Sequence, residues 1–126
     1  MKLSDYLIET DILVEHLTHK NDGKESILET FMQKGVCYTS VINASEILFA
    51  LNSEKEIDSA IKLLSSIKVL GLNSRYSLNL AGLKSKLYNS RDALFFILAK
   101  LNKLKIITRD NTKYSKISNQ VQVINP

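Results

Sequence analysis

The sequence predicts an α/β fold: a mostly parallel sheet of four to five strands with helices on both faces. Three observations predict it. Short runs rich in β-formers recur at 6–8, 36–41, 68–70, 105–108 and 121–124. Segments with apolar residues at helical spacing separate them, and strands alternating with helices make βαβ units. One Pro and four Gly in 126 residues, 44% of them apolar, describe a chain with its own core, read as one domain over 1–126.

In chain order, Tyr6-Leu-Ile8 is a strand ending at Glu9, with Thr10 placed to cap a helix through Ile12, Leu13 and Leu17. Asn21-Asp-Gly23 is a turn signal. Ile27, Leu28, Phe31 and Met32 give 24–34 a helical period that Gly35 closes. A strand over 36–41 leads to a helix over 43–51. Asn52-Ser53 caps the next helix, which carries Glu54, Glu56 and Asp58 at its start and Ile57, Ala60, Ile61 and Leu64 on its apolar face. After the strand at 68–70, Ser74 caps a helix through Leu87, and Asn89-Ser90 caps a helix over 91–104 that is apolar almost all round and so buried. The strand 105–108, a short helix near 112–117 and a last strand complete the chain.

Several classes drop out. No apolar run approaches the roughly 18 residues that a membrane span needs. Acids stand where a signal peptide would have its apolar stretch, so the expected location is cytoplasmic. The single Cys37 makes no internal disulfide and reads as a buried thiol, while His16 and His19 have no Cys at zinc-ligand spacing.

Charge is divided unevenly. Residues 1–67 carry six Lys/Arg against eleven Asp/Glu; residues 68–126 carry eleven against two. That asymmetry fits a polyanion or an oppositely charged protein as partner, or simply a solvated basic surface. The two acids of the basic half are Asp92, at the start of the apolar helix, and Asp110, just past a strand. Glu9 ends the first strand and Glu46 lies one helical turn from Ile42, Asn43, Phe49 and Ala50. Each has an ordinary role available: Asp92 serves a helix dipole, Asp110 closes a turn, Glu46 reaches water. Together they are candidates for a divalent-metal site, because open α/β sheets bind ligands beyond the carboxyl ends of their strands. Mg²⁺ and Mn²⁺ take hard carboxylate oxygens and can promote displacement at phosphorus. Basic residues on the rim, Arg91, Arg109 and Lys113, would gather a phosphate backbone.

Four stretches in order resemble the PIN-domain ribonucleases, especially the short VapC-like toxins of toxin–antitoxin pairs. They are Tyr6-Leu-Ile-Glu-Thr-Asp-Ile-Leu-Val-Glu15, Thr39-Ser-Val-Ile-Asn-Ala-Ser-Glu-Ile-Leu48, Ser90-Arg-Asp-Ala-Leu94 and Ile106-Ile-Thr-Arg-Asp110, and they span nearly the whole chain. The resemblance implies a three-layer α/β/α domain with Mg²⁺- or Mn²⁺-dependent endonuclease activity on RNA. It implies Glu9, Glu46, Asp92 and Asp110 as metal and catalytic residues, with Thr10, Asp11, Ser40 and Thr108 orienting ligands or waters. It also implies two protein partners, a second copy of the chain and a small antitoxin. Two residues depart from the pattern: Glu9 stands where the family has Asp, and Phe95-Phe96 is bulkier than usual after the third acid. A catalytic geometry displaced by ~1 Å can lose ~100-fold in rate, so Glu9 leaves a catalytically weakened RNA- or protein-binding module as an alternative. A phosphoryl-accepting receiver domain is a third reading, but the late strand ends Thr108-Arg109-Asp110 without the Lys such domains need.

Overall fold

In a computed structural model, residues 4–19, 22–87, 89–117 and 119–126 are described. Five parallel strands, β1 (Ser4–Ile8), β2 (Gly35–Ser40), β3 (Lys68–Leu70), β4 (Lys105–Ile107) and β5 (Val123–Ile124), form one sheet in the order β3-β2-β1-β4-β5. Strand β1 is central. Leu7 stands opposite Tyr38 on one side and Ile106 on the other.

Alternation along β1 builds the two cores. Leu7 points to one face, where it packs with Ile106, Phe95, Phe96, Leu98, Tyr114 and Ile117. Tyr6 and Ile8 point to the other, with Ile12, Leu13, Leu28, Phe31, Ile47 and Leu63. The first face is covered by helix α5 (Ser90–Leu101) and the second by α1 (Thr10–Thr18), α2 (Ile27–Met32), α3 (Val41–Ala50) and α4 (Glu54–Ser66). The result is three layers, α/β/α. Fully burying such side chains contributes about 1.5–3 kcal/mol each. The lone Cys37 is buried and free, and burial pushes its thiol up to about 11.

Several element boundaries differ from expectation for local reasons. Helix α1 is capped by Glu9, whose side chain accepts from Thr10 N; Thr10 is already helical and uses its hydroxyl elsewhere. Helix α2 begins only at Ile27, because Ser26 and Glu29 form a reciprocal capping box. Val41 opens α3 rather than extending β2, because Ser40 caps there. The helix expected from Ser74 to Leu87 is instead two short 3₁₀ helices, Ser74–Asn79 and Ala81–Leu83. Ser77 Oγ and Asn79 Nδ2 both donate to backbone carbonyls of the preceding turn, and Gly82 adds no helical bias. Helix α5 ends at Leu101, three residues short of expectation, as Lys103 turns to φ 55°. Strands β4 and β5 are shorter than expected. Of the 21–23 turn, Asn21 lies outside the described residues, and Gly23 has φ +86°.

Candidate active site

The carboxyl ends of β1, β2 and β4 deliver the polar residues. Glu9 follows β1 and is 2% exposed. Its Oε1 accepts from Thr10 N at 3.0 Å, from Asn43 Nδ2 at 2.9 Å and from Arg91 Nη2. Its Oε2 accepts from Arg91 Nη1 at 2.8 Å and from the Tyr114 hydroxyl at 2.9 Å, with Lys113 Nζ 3.3 Å away. Burial alone would push this carboxyl up. The Arg91 hydrogen bonds, the charges of Arg91 and Lys113 and the Thr10 N–H outweigh it and hold the group at about 2. Burial, and after it the Glu9 charge, push the Tyr114 hydroxyl far up, so it stays a neutral donor.

Arg91, the second residue of α5, is the hub. Its Nη1 donates to Asp92 Oδ1 at 3.0 Å as well as to Glu9. Its Nη2 donates to Glu46 Oε1 at 2.7 Å and to Thr10 Oγ1 at 3.2 Å, and its Nε reaches Glu46 Oε2 at 3.3 Å. Glu46 projects from α3 and is exposed rather than sunk in an apolar stripe; Phe49, one turn on, is 91% exposed. Burial raises the Glu46 carboxyl, but its bonds to Arg91 and Thr10 bring it down overall. Asp92 is buried, one helical turn before Phe95 and Phe96, and Asn89 caps α5 by accepting from Asp92 N at 2.8 Å.

Asn43 fixes the centre. Its Oδ1 accepts from Ser40 N and Ser40 Oγ, which turns its Nδ2 toward Glu9 Oε1 and Thr10 Oγ1, both at 2.9 Å. Thr10 Oγ1 in turn donates to Glu46 at 2.7 Å. Ser40 therefore acts one step back from the carboxylates, through Asn43. On the β4 side, Thr108 Oγ1 donates to Asp11 Oδ1 at 3.1 Å and accepts from Asp110 N at 3.1 Å, while Asp11 Oδ2 also accepts from Arg109 N at 2.8 Å. Asp110 is exposed and its Oδ1 accepts from Thr112 Oγ1 at 2.8 Å.

Glu9, Glu46, Asp92 and Asp110 all line one cavity of about 560 Å³, together with Thr10, Asp11, Asn89, Arg91, Thr108, Thr112 and Lys113. Two of the expected phosphate-gathering residues, Arg91 and Lys113, instead make ion pairs with the site acids; Arg109 is exposed and does not line the cavity. Asn43, Thr112 and Tyr114 carry site contacts that the sequence did not single out, while Asn89 is the helix cap expected of it. Tyr114 alone had a clue, an aromatic with a polar tip in a short helix after Asp110.

Among the described residues, no three His, Cys, Asp or Glu side chains converge directly on one metal-sized point. Three of them converge on Arg91. The guanidinium is a stand-in cation: the oxygens around it are hard carboxylate donors, the type that divalent ions such as Mg²⁺ take.

The PIN domain family model matches residues 6–119. The chain belongs to the PIN domain family. Its members are generally nucleases. Solved structures similar to this PIN domain include the VapBC2 complex of Rickettsia felis bound to a promoter DNA fragment, at 17% identity, covering 95% of this chain and 97% of that one with a TM-score of 0.76. A toxin–antitoxin complex from Klebsiella pneumoniae matches at 16% identity, 94% and 95% coverage and TM-score 0.75. VapBC-1 of nontypeable Haemophilus influenzae matches at 19%, 96% and 97%, and 0.75. Likeness at these identities is likeness of fold. Among curated proteins, none matches the chain. No helix among the described residues is long and apolar enough to cross a membrane.

Proposed function

We propose that this PIN domain is a Mg²⁺- or Mn²⁺-dependent endoribonuclease, the toxin of a cytoplasmic toxin–antitoxin pair, working as a homodimer that a small antitoxin restrains. The single observation that carries this reading is the gathering of Glu9, Glu46, Asp92 and Asp110 on one cavity at the carboxyl end of the sheet. The solved neighbours that are toxin–antitoxin complexes support the partner class.

In this reading Glu9, Glu46 and Asp92 hold the ion, and Asp110 completes the set from the rim. A divalent ion bound there supplies Lewis-acid chemistry at a phosphodiester. The chain's own residues do the rest. Asn43 and Tyr114 fix the two Glu9 oxygens; Thr10 positions Glu46; Asp11 and Thr108 hold the loop that carries Asp110. Arg109, exposed and next to Asp110 in the chain, would meet a passing phosphate backbone. The test is Mn²⁺-dependent cleavage of RNA, with Asp92→Asn and Asp110→Asn expected to fall to background while keeping the circular dichroism of the wild type. Cleavage retained in both variants refutes the reading.

One observation favours a second reading, a PIN-like module that holds RNA or a protein without cutting: Arg91 is paired with Glu9, the residue that departs from the family's Asp. That module would bind RNA in a salt-sensitive way without cleaving it, and Glu9→Asp would gain activity.

A further inference from the structure

We propose that Arg91 is a built-in counter-cation that fills the divalent-ion position of this site and must leave before an ion binds. The inference rests on the metal-site reading above and adds a latch to it.

Every nitrogen of the Arg91 guanidinium is spent on site oxygens. The Nη1/Nη2 fork grips both oxygens of Glu9, Nη2 and Nε both oxygens of Glu46, and Nη1 also takes Asp92. A planar fork of donors matches carboxylates in this way where a point charge does not. Glu9 Oε2 accepts from Arg91 Nη1 and from the Tyr114 hydroxyl, which fills both its lone pairs while the guanidinium stays. An arriving divalent ion would also meet a positive charge a few ångströms away. Guanidinium and ion therefore exclude one another. Arg91 can leave toward solvent, to which its side chain is 25% exposed; in the docked position it also lies 5.4 Å over the Phe95 ring. Lys113 does not replace it. Its single ammonium reaches Glu9 and Asp92 at 3.3 and 3.6 Å, and no ion pair joins it to Glu46.

The experiment titrates Mn²⁺ calorimetrically into the wild-type chain, Arg91→Gln and Arg91→Lys, and melts each without and with Mn²⁺. Arg91→Gln is expected to bind Mn²⁺ about tenfold or more tightly than wild type. Arg91→Lys, which keeps the charge but loses the fork, should fall between. Without metal, Arg91→Gln should melt below wild type, because three acids lose the guanidinium they share, and Mn²⁺ should restore it. Equal or weaker Mn²⁺ binding by a folded Arg91→Gln overturns the latch. If that variant does not fold, unchanged affinity in Arg91→Lys overturns it instead. The two readings part cleanly. Tighter binding by Arg91→Gln without RNA cleavage sinks the nuclease and keeps the latch. Wild-type cleavage with no gain in affinity sinks the latch alone. No Mn²⁺ binding in any of the three sinks both.

Discussion

Tyr114 donates its phenolic hydrogen to Glu9 Oε2 at 2.9 Å, joining the short helix after β4 to the end of β1. The ring is fully buried and stacks on Phe95 and Phe96, at centroid distances of 6.4 and 6.5 Å. The bulky Phe pair, unusual beside the third acid, is thus the floor on which Tyr114 stands. Tyr114→Phe keeps that stacking and removes one donor from a buried, charged carboxylate. It should cost about 1.5–3 kcal/mol of stability, read from urea unfolding midpoints at neutral pH. A loss below half a kcal/mol would show that the bond does not hold Glu9.

Glu9 links the same cluster to pH. Its carboxyl sits at about 2, below an ordinary value of 4.5, because Arg91 and its other donors outweigh burial. A depressed folded value means the contribution is present above about 4.5 and is lost as pH falls toward 2. A shift of that size corresponds to something on the order of 3 kcal/mol. Wild type should therefore lose stability steeply between pH 5 and 2.5, and Glu9→Gln, less stable at pH 7, should lose less over that window. Parallel stability–pH curves for the two proteins would contradict this.

The fold was legible because its signals are local. Tyr6-Leu-Ile8 is a buried strand by composition, and the periodic apolar residues of α5 could only be a covered helix. The segment 74–87 was not legible, because its helical spacing of Tyr76, Leu80, Leu83 and Leu87 is real but competing Ser and Asn side chains capture the backbone. At the site, Asp92 and Asp110 stood out because acids are scarce in a basic segment. The role of Arg91 did not. One guanidinium between Glu9 and Glu46, 82 and 45 residues away, is a long-range contact with no sequence period. Asn43 was hidden likewise, since its amide orientation depends on Ser40 three residues before it.

Gly35 is required by packing where β2 begins. It pairs with Ser4 of β1, and a β carbon there would run into the Ser4 carbonyl. The obstacle is backbone, which cannot rotate aside as a side chain can, so the two strands must separate. Gly35→Ala should cost about 1–3 kcal/mol, seen as a lower melting temperature, with the β1 amides exchanging hydrogen faster than those of α4. A variant as stable as wild type would mean the β1–β2 pairing is looser at this end.

His19 gives the opposite pH dependence. Its Nε2 faces the Lys24 carbonyl at 2.7 Å and its Nδ1 faces a Glu15 oxygen at 3.1 Å; both are acceptors, so both ring nitrogens must carry hydrogen. The Lys24 bond raises its pKa above the ordinary 6.5; burial opposes it, and the bond and charge of Glu15 add to the rise. The other Glu15 oxygen accepts from Ile27 N at 2.8 Å, so the charged ring steadies the start of α2 through its partner. A raised folded value places the stabilisation below about 6.5 and removes it as pH climbs through the folded pKa. The melting temperature should therefore fall for wild type between pH 6 and 8.5 more than for His19→Gln, which cannot titrate. Equal slopes would show that the imidazolium contributes nothing to this junction.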